Sequence, residues 1–261
     1  MLFAIDIGNS HTVCGVYDGA DLRAHWRIST QPGRTKDELR AMLGTLFQSE
    51  PEVNAHHINA AIIASVVPAM TQVFEQTAQD LFNVKARVVG PGLKTGMPIR
   101  YEDPREVGAD RIVNAVAAYG KWNTGIIVVD FGTATTFDVV SPDGAYLGGV
   151  ICPGIKISSE ALFNRAAKLP KVAFSRPKNV IGRNTVSSIQ AGLVYGYVSL
   201  VEGLIQRIKN ELDFDCKVIA TGGLAREVAA STDQIEHVDE MLTLEGLRAI
   251  HRLNAHTIGE A

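Results

Sequence analysis

Short apolar runs that stop at polar or glycine-bearing bends alternate along this chain with stretches of helical periodicity. Leu2-Phe3-Ala4-Ile5 is the first run, and it ends in Asp6-Ile7-Gly8-Asn9-Ser10-His11-Thr12. Alternation from Val13 to Tyr17 predicts a second strand, Asp18-Gly19 a tight hairpin turn, and Leu22 to Ile28 a third strand. Thr35-Lys36-Asp37-Glu38 has capping-box spacing and starts a helix to about Gln48. Ala60 to Val67 is a buried strand stopped by Pro68, followed by a helix to Phe82 and a strand at Ala86 to Val89. Asp103-Pro104-Arg105-Glu106 predicts a helix start, with the helix running from Pro104 to about Tyr119.

The second half opens on Ile126-Ile127-Val128-Val129, four branched apolar residues that suit a strand buried on both faces. Asp130 stands where that strand gives out, Gly132 allows a tight bend, and Thr133, Thr135 and Thr136 supply hydroxyls to the next strand. An acid, a glycine and threonines at a bend suit a phosphate with its cation. Taken alone, the stretch fits an ordinary hairpin with a polar tip better. Its echo at the N-terminus changes the balance: Asp6, Gly8 and Thr12 align with Asp130, Gly132 and Thr136, each pair 124 positions apart. Both copies follow an apolar strand, continue into another strand and reach an Asp-Gly turn, the second at Asp143-Gly144. This repetition predicts an internal duplication with lobes at residues 1–120 and 121–261.

Later elements follow the same grammar. A strand at Tyr146 onward meets Pro153-Gly154, and a helix runs from Ile155 to about Ala167. A long helix covers about Val186 to Leu212, with Thr185 as its candidate cap. Gly192, Gly196 and Gly203 weaken that helix and are expected to permit close packing against another element. Lys217 to Ala220 is a strand ending at Thr221-Gly222-Gly223, a place where backbone amides can meet a ligand. A final helix covers Leu242 to Leu253. Asp110 falls beside the apolar stripe of its helix. A partly buried acid there suits a functional carboxylate, and also an ion pair or loop cap. Arg111 next to it can serve an anion or a surface pair.

Charge and composition narrow the class. The chain has 261 residues, 46% of them hydrophobic, enough for two lobes with real cores. A net charge of −3 gives no basic footprint for nucleic acid. Cys14, Cys152 and Cys216 form no paired motif, so a cytoplasmic, reducing setting is expected rather than a disulfide framework. His56-His57 and the other histidines lack metal spacing. No continuous apolar run approaches the roughly 18 residues of a membrane span, so no membrane association is expected.

Asp6-x-Gly-Asn-Ser, Asp130-Phe-Gly-Thr-Ala-Thr-Thr and Thr221-Gly-Gly together resemble the phosphate and adenosine motifs of the actin/Hsp70/sugar-kinase superfamily. Gly108-Ala-Asp-Arg111, Gly148-Gly-Val-Ile-x-Pro-Gly154 and Ile181-Gly-Arg-Asn-Thr185 more specifically resemble type III pantothenate kinases, from Leu2 to about Leu247. The resemblance implies an α/β fold of duplicated ribonuclease H-like lobes, each a mixed sheet flanked by helices, with the active site in the cleft between them. It implies phosphorylation of pantothenate by ATP with a divalent cation such as Mg2+, the first step of coenzyme A biosynthesis. Asp6, Ile7, Gly8, Asn9, Ser10, His11, Thr12 and Val13 would hold the ATP phosphates, with Asp6 acting on the divalent metal. Thr133, Gly222 and Gly223 would also contact the nucleotide. Asp110 would be the general base toward the pantothenate hydroxyl, within a pocket lined by Tyr101, Gly108, Ala109, Arg111 and Thr185. Asp130 would bind the monovalent cation, K+ or NH4+, and the protein would be a homodimer. Ser10 departs from the usual threonine but keeps the hydroxyl. A catalytically silent regulatory relative, an actin-like filament protein and another small-molecule kinase of the same fold are the competing readings. The retained acids Asp6, Asp110 and Asp130 argue against the silent relative.

Overall fold

The computed structural model describes residues 1–166 and 168–255, which divide into two compact units. Among the described residues, unit 1 comprises 1–121 and 241–255, and unit 2 lies within Trp122–Glu240.

In unit 1, β1 (Leu2–Ile7), β2 (His11–Asp18) and β3 (Asp21–Ser29) form an antiparallel meander. Helix α1 (Lys36–Gln48) follows, then β4 (Ala60–Ser65), α2 (Pro68–Phe82), β5 (Arg87–Val88) and α3 (Ala109–Trp122). In unit 2, β6 (Gly125–Phe131), β7 (Ala134–Val140) and β8 (Tyr146–Pro153) repeat the meander. They are followed by α4 (Ile155–Arg165), α5 (Thr185–Glu211), β9 (Cys216–Gly222), α6 (Ala225–Ala229) and β10 (His237–Val238). The last helix is α7 (Leu242–Ala255). Ala167, where the sequence ended the fourth helix, and residues 256–261 of the expected second lobe lie outside the described residues.

The duplication is visible in the topology. The first sheet has the order β3-β2-β1-β4-β5, and the second, read from its other edge, β8-β7-β6-β9-β10. In each, β1 or β6 pairs antiparallel on one side and parallel on the other. The equivalence slips by one residue past the bend, however. Asp6 pairs with Val13 but Asp130 pairs with Thr136, so Thr135, not Thr136, occupies the place of Thr12. Thr12 and Thr135 are both buried, as the shared position requires. Side chains alternate faces along a strand, so one residue of loop length decides which threonine points inward.

Alternation along β1 also explains the layers. Phe3, Ile5 and Ile7 face a core with Leu39, Leu43 and Phe47 of α1 and Met70, Phe74 and Phe82 of α2. Leu2 and Ala4 face the opposite way, against Val113 of α3 and Leu244, Leu247 and Ile250 of α7. Helix α1 starts as its capping box predicts, with Glu38 N–H donating to Thr35 Oγ1 at 3.3 Å and Thr35 N–H to Glu38 Oε2 at 2.8 Å.

Two expectations change. The final helix, α7, which the sequence placed in the lobe from residue 121, packs in unit 1. Gly246 brings its backbone against the Val113 carbonyl of α3, where a Cβ would collide. Thr243 Oγ1 donates to Asn114 Oδ1 at 2.7 Å, and Lys121 pairs with Glu245. The predicted helix from Pro104 is instead a one-turn 3-10 segment, Pro104–Glu106, followed by a break before α3 begins at Ala109. Asp103 caps only that turn, accepting from Arg105 N–H at 3.0 Å. Helix α5 is long and apolar enough, by length and composition, to cross a membrane. Its Val198, Val201, Ile205 and Ile208 are instead committed to the core of unit 2, beside Ile127, Val129 and Val218.

Candidate active site

The Asp6 hairpin is built by the meander of unit 1. Asp6 is the penultimate residue of β1, flanked by Val13 on one side and Ala64 on the other. Its negative charge acts on the buried Cys14 thiol, whose pKa is raised first by desolvation and then by Asp6. The bend after Ile7 is pinned from the end of β3. Thr30 Oγ1 donates to the Gly8 carbonyl at 2.7 Å and lies 2.9 Å from Thr12 Oγ1, and Thr30 N–H donates to the Ser10 carbonyl at 3.0 Å. Gly8 N–H donates to the His11 carbonyl at 3.0 Å, and His11 Nδ1 lies 3.2 Å from Arg27 Nη2. Asn9 and Ser10 are exposed on this fixed bend. Thr30 escaped the sequence reading, because nothing local marks a residue that acts on a bend 22 positions away.

Asp110 heads α3 in the same unit. A Cβ on Gly108 would lie 2.5 Å from Asp110 Oδ1, so the carboxylate folds back against Gly108. Asp110 Oδ1 accepts from Arg111 N–H at 2.8 Å. Burial raises the Asp110 pKa above the ordinary carboxylate value, while that backbone N–H and the Arg111 charge pull it back. The first-turn position adds the favourable field of the helix N-terminus. Arg111 is 7% exposed, which excludes a simple surface ion pair. Ala109 and Val13 pack against one core, so the head of α3 and the Asp6 hairpin share a face of the first sheet. Tyr101 lies in the irregular segment ahead of α3 and is partly buried.

In unit 2, Asp130 lies between Thr136 of β7 and Thr221 of β9. Gly222 has φ of +91°, and a Cβ there would meet Asp130 Oδ1 at 2.5 Å and Phe131 N at 2.7 Å. The structure therefore brings Gly222 of the late Thr-Gly-Gly motif directly against Asp130. Gly223 follows it, exposed, before the short α6. Gly154 closes the other side, its N–H donating to the Thr133 carbonyl at 3.1 Å. A second acid, Asp138, is fully buried and accepts from Tyr146 Oη at 2.7 Å and Thr136 Oγ1 at 3.1 Å. Those bonds stiffen the strand that carries the threonines.

Thr185 belongs to a different feature of unit 2. It does not cap α5: Asn184 does, accepting from Ser187 N–H at 2.9 Å, and Thr185 is the first helical residue. It lines an open cavity of about 770 Å3 with Arg183, Ser188, Leu162 and Leu169. Among the described residues no three His, Cys, Asp or Glu side chains gather as a metal centre. Single carboxylates at strand ends fit a magnesium ion held mainly by water and substrate phosphates.

Comparison with known proteins fits this geometry. A solved putative 2-dehydro-3-deoxygalactonokinase from Sinorhizobium meliloti superposes with a TM-score of 0.59 at 13% identity, over 100% of this chain and 98% of that one. MreB 5 of Spiroplasma citri, solved with AMPPNP, superposes with a TM-score of 0.55 at 10% identity, over 98% and 97%. Both likenesses establish the fold: two mixed sheets flanked by helices, the duplicated actin-like ATPase and sugar-kinase arrangement. At the level of sequence, the chain is 57% identical over 254 residues to the type III pantothenate kinase of Anaeromyxobacter sp. (strain Fw109-5), covering 97% of this chain and 100% of that protein. The sequence model of the same family matches residues 2–207, which contain all three candidate acids, and the chain belongs to the type III pantothenate kinase family.

Proposed function

We propose that this protein transfers the γ-phosphoryl group of ATP to the primary hydroxyl of pantothenate, the entry reaction of coenzyme A biosynthesis. The observation that carries the reading is the pair of equivalent Asp-ended hairpins, each at the end of a central strand, in a chain of this family. Phosphoryl transfer is chiefly a matter of positioning and charge neutralisation, with one group to orient or deprotonate the nucleophile.

In this scheme the bend from Asp6 to Val13 receives the phosphates, and Asp6 orients the divalent cation through water or phosphate oxygen. That cation supplies charge neutralisation at the β- and γ-oxygens. Thr133, Gly222 and Gly223 take the remainder of the nucleotide. Asp110 accepts the hydroxyl proton, the hydroxyl oxygen bonds to the γ-phosphorus, and ADP leaves. Its raised pKa supports this role, since a base is most effective with a pKa near the working pH. Buried Arg111, with Tyr101, Gly108, Ala109 and Thr185, recognises the acid substrate. Asp130, held against Gly222, binds potassium or ammonium.

We also propose a homodimer formed along α5. Gly192, Gly196 and Gly203 were expected to pack against another element, yet a Cβ at any of them meets nothing within 4 Å. Thr185, Ser188 and Ser199 extend this stripe at three- and four-residue spacing, all exposed. Exposed Leu162, Val186 and Ile181 are also in unit 2, the last at 84%. A second copy on this face would cover the cavity beside Thr185. The three free cysteines fit a cytoplasmic setting.

The test is a substrate screen with purified protein, ATP, Mg2+ and K+, in which phosphate transfer to pantothenate is compared with transfer to other small alcohols. Preferential turnover of pantothenate is expected. Transfer to a different alcohol, or no transfer at all, would overturn the reading.

A further inference from the structure

A second polar cavity lies in unit 1, at the opposite end of the first sheet from Asp6. It has a volume of about 240 Å3 and is lined by Asn59, Asn83, Lys85, Arg87 and His251, with Ala60 and Ala61 at its floor. Register fixes its position. Ala60 pairs with Leu2, whereas Ala64 pairs with Asp6, so four strand residues, roughly 13 Å, separate the cavity floor from the Asp6 level.

The composition of the lining is unusual. Lysine, arginine and histidine converge, and no carboxylate is among the lining residues. Arg87 stands on the two-residue edge strand β5, Lys85 just before it, and His251 on α7. Arg87 Nη1 lies 3.5 Å from His251 Nδ1, across 164 residues of chain, close enough for the guanidinium to donate to a neutral imidazole. Burial and the Arg87 charge both lower the His251 pKa. The carbonyl end of α2, capped at Asn83, offsets only about half a charge. Lys85 and Arg87 carry like charges with no carboxylate lining the cavity, and a bound anion would offset their repulsion.

We propose that this cavity is an accessory anion site that takes a phosphate group, either inorganic phosphate or a small phosphate monoester. Lysine and arginine supply charge-assisted donors to the phosphate oxygens, neutral His251 can add the N–H of its second ring nitrogen, and the Asn59 and Asn83 amides complete the rim. The cavity, about 240 Å3, has room for a phosphate and part of its hydration. The site lies outside the proposed catalytic machinery, and its readout does not depend on phosphoryl transfer.

The experiment follows the imidazole signal of His251 by NMR in the full chain, assigned by its loss in His251→Gln. Inorganic phosphate, glycerol phosphate and, at matched ionic strength, chloride are titrated separately. Saturable movement with a phosphate probe and not with chloride is expected, weakened at least tenfold in the Lys85→Gln/Arg87→Gln double variant. The tighter of the two phosphate probes identifies the source. Retained kinase turnover in the double variant shows that it is folded. A signal that ignores phosphate, that moves equally with chloride, or that moves as much in the folded double variant would overturn the proposal.

Discussion

The α-carbon of Gly222 rests against the carboxylate of Asp130, so that a Cβ would come within 2.5 Å of Asp130 Oδ1. Gly222 also has φ of +91°, where other L-residues are strained. Gly222→Ala therefore combines backbone strain of about 1–2 kcal/mol with displacement of Asp130. The expected loss is about 2–8 °C in Tm, read by calorimetry. Because Asp130 moves, kcat/KM for ATP should fall at least tenfold, measured in steady state. A variant with unchanged ATP kinetics would separate Gly222 from the nucleotide site.

Asp110, the proposed base, gives two opposite effects on substitution. Asp110→Asn should lose about 10^2–10^4 in kcat while nucleotide binding, measured calorimetrically, is unchanged. The same substitution should raise stability at neutral pH. Burial raises the folded pKa of Asp110, so the folded state holds its proton more tightly than the unfolded chain. Stability from this group is present below the ordinary carboxylate value, about 3.9, and is lost as pH rises through the folded pKa. The Tm advantage of Asp110→Asn should accordingly appear above that window and vanish below it.

The same displacement has a kinetic signature. The acidic limb of the kcat/KM profile for pantothenate should lie above the ordinary Asp range, with activity falling as pH drops through the raised pKa. A limb at or below about 3.9, in a range where the protein remains folded by circular dichroism, would contradict the base assignment.

For the monovalent cation proposed at Asp130, replacement of potassium by sodium should lower turnover, and ammonium should restore it. Asp130→Asn should abolish the distinction between the three ions. Equal rates in all three salts with the unaltered protein would reject the role.

The open stripe of α5 provides a test of assembly. Gly196→Arg removes a helix-interior glycine, which favours the helix by up to about 1 kcal/mol, and a Cβ there meets nothing within 4 Å. The fold should persist while sedimentation shifts from dimer to monomer, and KM for pantothenate should rise if the partner helps to close the Thr185 cavity. A variant that sediments as the unaltered protein does would place the interface elsewhere.

Much of this protein is determined by local sequence alone. Branched apolar residues specify the central strands, Thr35 and Glu38 specify the start of α1, and two Asp-x-Gly bends 124 positions apart announce the duplicated fold. Those features act through neighbours in sequence, so they are legible there. Tertiary structure alone decided what depends on distant partners. Thr30 pins the Gly8 bend, Gly222 abuts Asp130, and Gly246 seats α7 on unit 1. The one-residue difference in hairpin register exchanged Thr135 for Thr136, since a strand's faces alternate and only pairing reveals which side turns inward. The break before α3 was not legible either: Asp103 and Pro104 carry a valid start signal, but the chain makes only one 3-10 turn there and α3 starts at Ala109.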